Sequence, residues 1–224
     1  MVVRAVRESD QAPVILKQLI EDFPESGKLS RFLFGYEVAA KFDHSNITRN
    51  LDWLGVRRQG DQVEITADTA GTCKPTIVLE DLQGIDLYAY MTHFDDERLP
   101  VDVFLNIAVQ LAEALSVIHY QQVIHKDLHP GNILINPDTG LAQITDFGLA
   151  SLLSREQPVL HAPDRLEGVL AYISPEQTGR MNRALDYRSD FYTLGCTLYH
   201  LLAGRPPFKA KDALGVVHAH IARS

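Results

Sequence analysis

Three polar residues stand among short apolar runs in the stretch VIHKDLHPGNILINPDTGLAQITDFG, which covers residues 123–148. They are Asp127, Asn132 and Asp146, and burying such groups without a purpose is costly. Asn132 follows Asp127 by five positions, and Asp146 comes after the next apolar runs. Carboxylate and amide oxygens are hard ligands of the kind that Mg²⁺ prefers. The spacing therefore predicts a cleft whose floor carries these polar side chains.

The same stretch matches the pattern H-x-D-x-x-x-x-N followed by D-F-G, with His125 as its first residue. In this pattern Asn132 and Asp146 would hold Mg²⁺ against the phosphates of ATP. Asp127 would face an incoming hydroxyl group. We interpret His125 as a structural residue in the cleft rather than as a base.

The elements that must position these residues can be predicted from the pattern around them. The runs NILI and LAQI flank the turn NPDTG, so they should pair as a hairpin. Residues 101–120 predict a helix with one apolar stripe, and a second, buried helix is expected at 188–203, ended by Gly204 and Pro206. Another helix begins near 212. The stripe of the first helix contains Phe104, Ile107, Ala108, Leu111, Leu115 and Ile118.

In the first 80 or so residues, short strands are predicted in place of long helices. Residues 1–8 and 12–17 read as short strands around the turn ESDQAP, and further strands are expected near 53–57, 62–66 and 76–82. A helix is predicted over 29–42, with Ser30 as its N-cap. This part of the chain should therefore form a small sheet with one helix.

Composition narrows the class of protein. The 224 residues are 46% hydrophobic and 22% charged, with a formal net charge of −8. An acidic chain without a Lys/Arg run argues against nucleic-acid binding. Cys73 and Cys196 lie far apart, which predicts reduced thiols in a cytoplasmic protein. The charged N-terminus is no signal peptide, and no run approaches the ~20 apolar residues of a membrane span, so no membrane partner is expected.

Further motifs occur in order along the chain: VILK with Lys17, SPE at 174–176, YRSDFYTLG with Asp190, and LLAGRPPF. Together with HKD and DFG, they resemble the protein-kinase superfamily, in particular its Ser/Thr-kinase-like members. The wording AYISPEQTGRMNRALDYRSDFYTLG is similar, more narrowly, to the N-terminal kinase domain of large bacterial multi-domain sensor histidine kinases. The resemblance covers nearly the whole chain.

The resemblance implies an α+β, two-lobed protein-kinase-like fold. Residues 1–82 would form a small β-rich lobe that lacks the glycine-rich loop. Residues 83–224 would form a mainly helical large lobe that lacks its last helices, so we expect the fold to be incomplete at both termini. The resemblance also implies an Mg-ATP-dependent kinase acting on Ser/Thr hydroxyls of protein substrates.

Site roles follow from the resemblance residue by residue. Lys17 would position the α- and β-phosphates of ATP, and Asp127 would orient the substrate hydroxyl and accept its proton. Asn132 and Asp146 would be the Mg²⁺ ligands. Asp190 would bind the backbone of the catalytic loop, which is the HKDLHPGN stretch at residues 125–132.

The resemblance also implies a hinge that binds adenine. If Leu79 is the gatekeeper, the backbone of Glu80 and Leu82 would pair with adenine. Asp86 would then lie where a ribose-binding acid is usual, although the same residue fits an acid at the start of a helix.

Several positions depart from the family pattern. Counting back from HSNIT places Gly35 where a helix glutamate should pair with Lys17, and Glu37 lies about 200° further around the helix. His129 replaces the usual catalytic-loop lysine, so it would supply less positive charge when neutral. Val169 replaces a threonine whose hydroxyl usually bonds to the catalytic aspartate.

These departures leave a second reading open. The chain could be a non-catalytic, kinase-like module that regulates a signalling partner, such as a histidine-kinase or ATPase domain. A third reading, a small-molecule kinase of the aminoglycoside phosphotransferase kind, shares the H-x-D-x-x-x-x-N pattern. The SPE segment and the helix of Asp190 favour the protein kinases.

Overall fold

The computed structural model describes residues 1–19, 26–59, 62–65, 74–153, 169–180 and 184–222. Cys73 lies outside these residues, so the prediction about its thiol concerns a part of the chain that is not described. Cys196 is buried and free, and the reduced state of its thiol stays a prediction.

The described strands are short and antiparallel where they pair in sheets. They are β1 (Val2–Val6), β2 (Pro13–Gln18), β3 (Asn50–Leu54), β4 (Val56–Gln59), β5 (Gln62–Ile65), β6 (Thr76–Glu80), β7 (Ile85–Asp86), β8 (Val123–Ile124), β9 (Ile133–Ile135), β10 (Ala142–Ile144) and β11 (Ser151–Leu152). The described α-helices are α1 (Ser26–Ala39), α2 (Leu87–Met91), α3 (Val101–Tyr120), α4 (Arg188–Ala203) and α5 (Ala213–Ala222).

The N-terminal sheet has the strand order β1-β2-β6-β3. Alternation along β2 buries Val14, which is 3% exposed. Lys17 pairs with Ile77 of β6 in this register, so its side chain is fixed to the middle of the sheet. The sheet and the later helices confirm the predicted α+β class. The division into lobes at residues 82 and 83 stays a prediction.

Helix α1 begins earlier than the sequence predicted. It spans Ser26–Ala39 rather than 29–42, so Ser30 lies one turn inside the helix and its prediction as N-cap was wrong. The helix also ends at Ala39 rather than at residue 42, and the hydrogen bonds after it show why. The N–H groups of Lys41 and Phe42 bond to the carbonyls three residues before them, Val38 and Ala39, which tightens the chain into a turn.

Helix α3 is the centre of the hydrophobic core. Its buried residues are Ile107, Leu111, Ala114, Leu115 and Ile118, which confirms most of the predicted stripe. Val38 and Phe42, at and just after the end of α1, pack into the same core.

By length and composition, the prediction that no apolar run approaches a membrane span was wrong. Among the described residues, the segment Asp95–Tyr120 is long and apolar enough to pass a test for a membrane span, with mean hydropathy 1.7. The core helix of a soluble protein passes the same test, and α3 lies within this segment with one face buried in the core. Length and composition alone therefore give weak evidence for a span.

The predicted hairpin is present. Ile133 pairs with Ile144 and Ile135 with Ala142, which joins β9 to β10. The short strand β7 adds to the other edge of β9 through Ile85, which pairs with Ile135. This small sheet lies against α3 and fixes the positions of the polar residues that precede β9 and follow β10.

Candidate active site

A cleft of about 320 Å³ lies between the N-terminal sheet, α1 and the chain after β10. Three predicted site residues line it together: Lys17, Asp127 and Asp146. The ammonium group of Lys17 lies 2.7 Å from Oδ1 of Asp146. Ile77 and Leu79 of β6 supply an apolar wall. Of the three residues whose spacing predicted a shared cleft, Asp127 and Asp146 line it, whereas Asn132 lies outside the lining and is hydrogen-bonded to Asp127.

Asp127 is surrounded by N–H donors. Oδ2 accepts a hydrogen bond from Nδ2 of Asn132 at 3.0 Å, and Oδ1 accepts one from the backbone N–H of Val169 at 3.4 Å. Nε2 of His129 lies 3.8 Å from Oδ2. The valine side chain cannot replace a threonine hydroxyl, as the sequence indicated. However, the backbone of the same residue provides a donor that side-chain reasoning missed.

Asn132 closes the catalytic loop on itself. Its amide nitrogen also donates to the backbone carbonyl of Asp127 at 2.9 Å. The short 3₁₀ turn Pro130–Asn132 places this side chain, with His129 as its N-cap. The amide nitrogen only donates, so the carbonyl oxygen Oδ1 is the atom of Asn132 that can bind a cation.

Asp146 has a backbone conformation that few side chains adopt. Its φ is +64°, in the left-handed region where Asn and Asp are tolerated. The carboxylate caps the turn Phe147–Leu149 by accepting the N–H of Gly148 at 3.2 Å. Burial works against ionisation of this carboxylate, but the ion pair with Lys17 outweighs it. The pKa of Asp146 therefore lies below its ordinary value, and the group is an anion at neutral pH.

His125 has the structural role that the sequence predicted. Its side chain is fully buried, and Nε2 lies 3.1 Å from the carbonyl of Thr145. Its ring meets the ring of Phe147 edge-on at 4.8 Å, and Phe147 stacks on Phe42 at 5.4 Å. These contacts join the catalytic loop to the chain around Asp146 and to the turn after α1.

Asp190 of α4 holds the catalytic loop from below. Its two carboxylate oxygens accept the backbone N–H groups of His125 and Lys126, both at 2.8 Å, as predicted. His119 at the end of α3 is a third partner, 2.9 Å from Oδ2, which sequence reasoning did not identify. Lys126 has a φ of +70°, so the loop is held in an uncommon conformation at this point.

Helix α1 resolves the uncertainty between Gly35 and Glu37. Gly35 lines the cleft, and Glu37 lies outside that lining. A Cβ added at Gly35 would stand 3.0 Å from the backbone carbon and oxygen of Phe147 and 3.1 Å from the nitrogen of Gly148. The absence of a side chain at Gly35 therefore lets α1 approach the backbone beside Asp146, and Lys17 pairs with Asp146 itself.

The hinge residues lie outside the cleft lining but have defined neighbours. The backbone N–H of Glu80 donates to the carbonyl of Arg49 at 3.0 Å. The carbonyl of Leu82 accepts Nδ2 of Asn136 at 2.9 Å. The N–H of Glu80 and the carbonyl of Leu82 are thus already hydrogen-bonded, so the predicted adenine contacts would need the other backbone groups of these two residues.

Asp86 is the N-cap of α2. Its Oδ1 accepts the N–H of Ala89 at 2.9 Å, which is the helix-start role that the sequence left open. The ribose role of Asp86 stays a prediction.

An arginine tethers the hinge to β1. Nε of Arg4 lies 3.2 Å from Oδ2 of Asp81, whose side chain is only 6% exposed. Nη2 of the same arginine donates to the carbonyl of Gly84 at 2.8 Å. Sequence reasoning did not find this contact, because the two residues are far apart in the chain and carry no motif.

Comparison with known proteins agrees with this geometry. A family model described as the protein kinase domain matches residues 1–223. The chain is 35% identical over 154 residues to the probable serine/threonine-protein kinase PknB of Corynebacterium glutamicum, and 32% identical over 209 residues to PknA of that species. It is 33% identical over 210 residues to the DNA damage-responsive serine/threonine-protein kinase RqkA of Deinococcus radiodurans.

The three alignments cover 69%, 93% and 93% of this chain, but only 23%, 41% and 28% of the relatives. The chain thus spans less than half the length of these curated relatives. The match of the family model, however, extends over nearly every residue. The lysine and the two aspartates of the motifs line one cleft, and the asparagine is hydrogen-bonded to one of those aspartates, Asp127. The chain belongs to the protein kinase family.

Proposed function

We propose that this domain transfers the γ-phosphate of ATP to Ser or Thr hydroxyls of protein substrates. The observation that carries the proposal is the assembly of Asp127 with the Lys17–Asp146 ion pair in one cleft. Membership of the kinase family implies ATP as the phosphate donor. The serine/threonine kinases to which the chain is similar favour these two hydroxyl amino acids.

Each residue would have a separate task. Asp127 accepts the proton of the substrate hydroxyl, and the N–H donors of Asn132 and Val169 keep its carboxylate in place. Lys17 positions the phosphates by its charge. Catalysis would then depend on positioning and charge stabilisation rather than on covalent chemistry by the protein.

The donor set fits Mg²⁺. Asn132 offers a carbonyl oxygen, and Asp146 offers a carboxylate that is ionised at neutral pH. Hard oxygen ligands of this kind, with waters and phosphate oxygens, are what Mg²⁺ ordinarily takes. Mg²⁺, when bound, neutralises charge that develops on the phosphates. Asn132 and Asp146 would hold it, and Lys17 would exchange part of its contact with Asp146 for phosphate.

The hinge completes the proposed nucleotide site. The carbonyl of Glu80 and the N–H of Leu82 would pair with adenine, since the other backbone groups of this pair have partners. Asp86 would contact the ribose with the carboxylate oxygen that does not cap α2.

A phosphate-transfer assay with Asp127→Ala tests the proposed activity. We expect the wild-type domain to label Ser and Thr residues of a mixed protein substrate and Asp127→Ala to lose at least ~100-fold. Asp138→Ala is the matched control, because Asp138 lies in the exposed turn between β9 and β10. Equal labelling by wild type and Asp127→Ala would refute the proposed transfer.

One observation favours the alternative of a non-catalytic binding module. Gly35 stands against the backbone of Phe147 and Gly148, where the family pattern has a glutamate that pairs with Lys17. Mg²⁺-dependent ATP binding, measured as a thermal shift, separates the alternatives. A ligand at ~100 times its dissociation constant adds ~2.7 kcal/mol to the stability. A rise that Asp146→Ala abolishes would support the phosphate site, and no rise in a folded sample would support the binding module.

The similarity to the N-terminal kinase domain of bacterial multi-domain sensor histidine kinases suggests where the domain works and with which partners. We propose that the domain works in the cytoplasm as the kinase part of a larger bacterial signalling protein, with histidine-kinase or ATPase domains as partners. The support is the wording of residues 171–195, AYISPEQTGRMNRALDYRSDFYTLG. Co-purification of the domain with such modules tests this. Absence of a complex with the modules, at concentrations where the domain is folded, would remove the support.

A further inference from the structure

The catalytic loop holds His129 in a closely packed position. The side chain of His129 is only 12% exposed. Its ring stacks on Tyr172 at a centroid distance of 5.9 Å and contacts Tyr88 at 6.2 Å. The two tyrosine hydroxyls are themselves hydrogen-bonded at 2.9 Å. The imidazole therefore has a fixed place beside Asp127.

A backbone hydrogen bond selects the tautomer of His129. The N–H of Gly131 donates to Nδ1 at 3.1 Å. A backbone N–H can only donate, so Nδ1 carries no proton while this bond is present. The proton of the neutral ring is then on Nε2. A Cβ at Gly131 would stand 2.9 Å from Cε1 of the ring, so the lack of a side chain at Gly131 is needed for this contact.

The distance between His129 and Asp127 suits one bridging oxygen atom. Nε2 lies 3.8 Å from Oδ2, which is too long for a direct hydrogen bond. An oxygen atom placed ~2.9 Å from Nε2 and ~2.7 Å from Oδ2 would complete a triangle with an angle of roughly 90° at that oxygen. Such an oxygen must accept from the imidazole and donate to the carboxylate. A hydroxyl group does both.

We propose that His129 is a catalytic residue that holds the acceptor hydroxyl of the substrate by donating its Nε2–H as a neutral group. The inference rests on the proposed phosphate transfer. The hydroxyl proton passes to Oδ2 of Asp127, since Nε2 already carries a proton. The hydroxyl oxygen bonds to the γ-phosphorus as the bond from that phosphorus to ADP breaks. His129 thus fixes the direction of attack without adding net charge to the site.

The charges around the ring agree with a neutral donor. Burial lowers the pKa of His129, and nearby Asp127 raises it in part. His125 adds to the lowering, whereas Asp146 and Asp86 oppose it. The net direction is downward, and the two tyrosines that pack on the ring are uncharged at neutral pH.

Three variants test the role by steady-state kinetics. His129→Leu removes the donor at similar volume, and we expect kcat to fall about 10- to 100-fold with KM for ATP nearly unchanged. His129→Gln keeps an N–H donor and should recover most of kcat. His129→Lys introduces a cation and should not exceed the glutamine variant. Full activity of His129→Leu, or equal loss in folded leucine and glutamine variants, would overturn the proposal.

The pH profile tests whether the neutral ring or the imidazolium of His129 is the working form. If the neutral ring is the working form, kcat of the wild type should not fall as pH rises from about 6.5 to 8. A fall of about tenfold per pH unit that His129→Lys abolishes would instead show that the imidazolium is required.

Nitrogen-15 NMR of the histidine side chains separates this inference from the proposed function. We expect the signals that are lost in His129→Gln to show the proton on Nε2 and none on Nδ1. A serine-containing peptide should shift the Nε2–H signal, and its alanine counterpart should not. A proton on Nδ1, or no shift with the serine peptide, would overturn the role of His129. Absence of any Asp127-dependent transfer would refute the proposed function, and the NMR result would still decide the role of His129.

Discussion

Asp127 receives its described hydrogen bonds from groups without net charge. The donors are the amide of Asn132 and the backbone N–H of Val169, with the imidazole of His129 a little further away. In the family pattern a lysine stands at the position of His129 and a threonine at the position of Val169. The positive charge in the cleft thus comes from Lys17, and from Lys28 and Arg31 of its lining, and not from the residues that donate to the Asp127 carboxylate.

Gly35 is a second residue whose replacement has a predictable effect on stability. Replacing a glycine inside a helix with alanine ordinarily stabilises it by ~1 kcal/mol. At Gly35 the new Cβ would lie 3.0 Å from the backbone of Phe147, which cannot move as a side chain can. We expect Gly35→Ala to lower the free energy of unfolding by ~1–3 kcal/mol, as overpacking does.

The matched control for this change is Gly195→Ala in α4. A Cβ there would meet nothing within 4 Å, so the ordinary helix gain should appear. Urea unfolding of both variants gives the comparison. Equal stabilisation in the two variants would contradict the close approach of α1 to the backbone beside Asp146.

Sequence reasoning located the residues whose identity itself carries the chemistry. Lys17, Asp127 and Asp146 have fixed spacing to recognisable neighbours, and all three line the cleft. It missed the N–H of Val169, because a backbone donor leaves no trace in residue type. It also missed the link between Arg4 and Asp81, since an exposed strand arginine has no distinctive spacing.

At the scale of elements, α4 supports the catalytic loop through one buried acid. The carboxylate of Asp190 is fully buried and accepts two backbone N–H groups of the loop. Thr197, two turns further along α4, donates to the carbonyl of Leu128 at 2.9 Å. Two residues of α4 thus hold the segment of residues 125–128: Asp190 at its beginning and Thr197 at its end.

We expect Asp190→Asn to destabilise the domain by ~3 kcal/mol. The amide keeps one acceptor oxygen and turns its NH₂ group towards a backbone N–H, so a buried donor loses its partner. The loss should appear in urea unfolding, and phosphate transfer should fall because the loop carries Asp127. Asp186→Asn is the control, since Asp186 pairs with exposed Arg188 and its loss should cost ~1 kcal/mol or less. Similar losses in both variants would argue against a supporting role specific to Asp190.

The long helices α3 and α4 were predicted well, and the two-residue strands were not. The helices at 101–120 and 188–203 were predicted with the bounds that the structure gives them. Their apolar periodicity extends over several turns, and Gly204, with φ of +67°, ends the second. Strands such as β7 and β8 have two residues each, too few for a period to show. They exist because neighbouring strands pair with them.

At the scale of the whole molecule, buried histidines connect distant segments. Nδ1 of His200 in α4 lies 2.5 Å from the hydroxyl of Tyr172. His220 in α5 lies 3.0 Å from the carbonyl of Leu170 through Nε2 and 2.8 Å from the hydroxyl of Tyr192 through Nδ1. The segment that contains the S-P-E motif is therefore joined to both C-terminal helices through imidazole rings.

These contacts predict that the domain loses stability in mild acid. Burial lowers the pKa of His200 and of His220, and the smaller opposing effects of Glu97 and of the carbonyl of Leu170 do not reverse it. His129 shifts in the same direction. In the unfolded chain each ring has a pKa near ~6.5. Between the folded and unfolded pKa values the unfolded state binds more protons, so the free energy of unfolding rises with pH there.

The stabilising contribution should therefore be complete above about pH 6.5 and decrease as the pH falls towards the lowered pKa values. The slope from each histidine is at most ~1.4 kcal/mol per pH unit, and less where water reaches the ring. Urea unfolding at pH 7.5, 6.5 and 5.5 measures it. His220→Gln removes one ring far from Asp127. It should reduce the change in the free energy of unfolding between pH 6.5 and 5.5, and it should leave the difference between pH 7.5 and 6.5 as in the wild type. A slope that is the same in the wild type, His200→Gln and His220→Gln would assign the acid sensitivity to other groups and contradict the neutral, buried state of these rings.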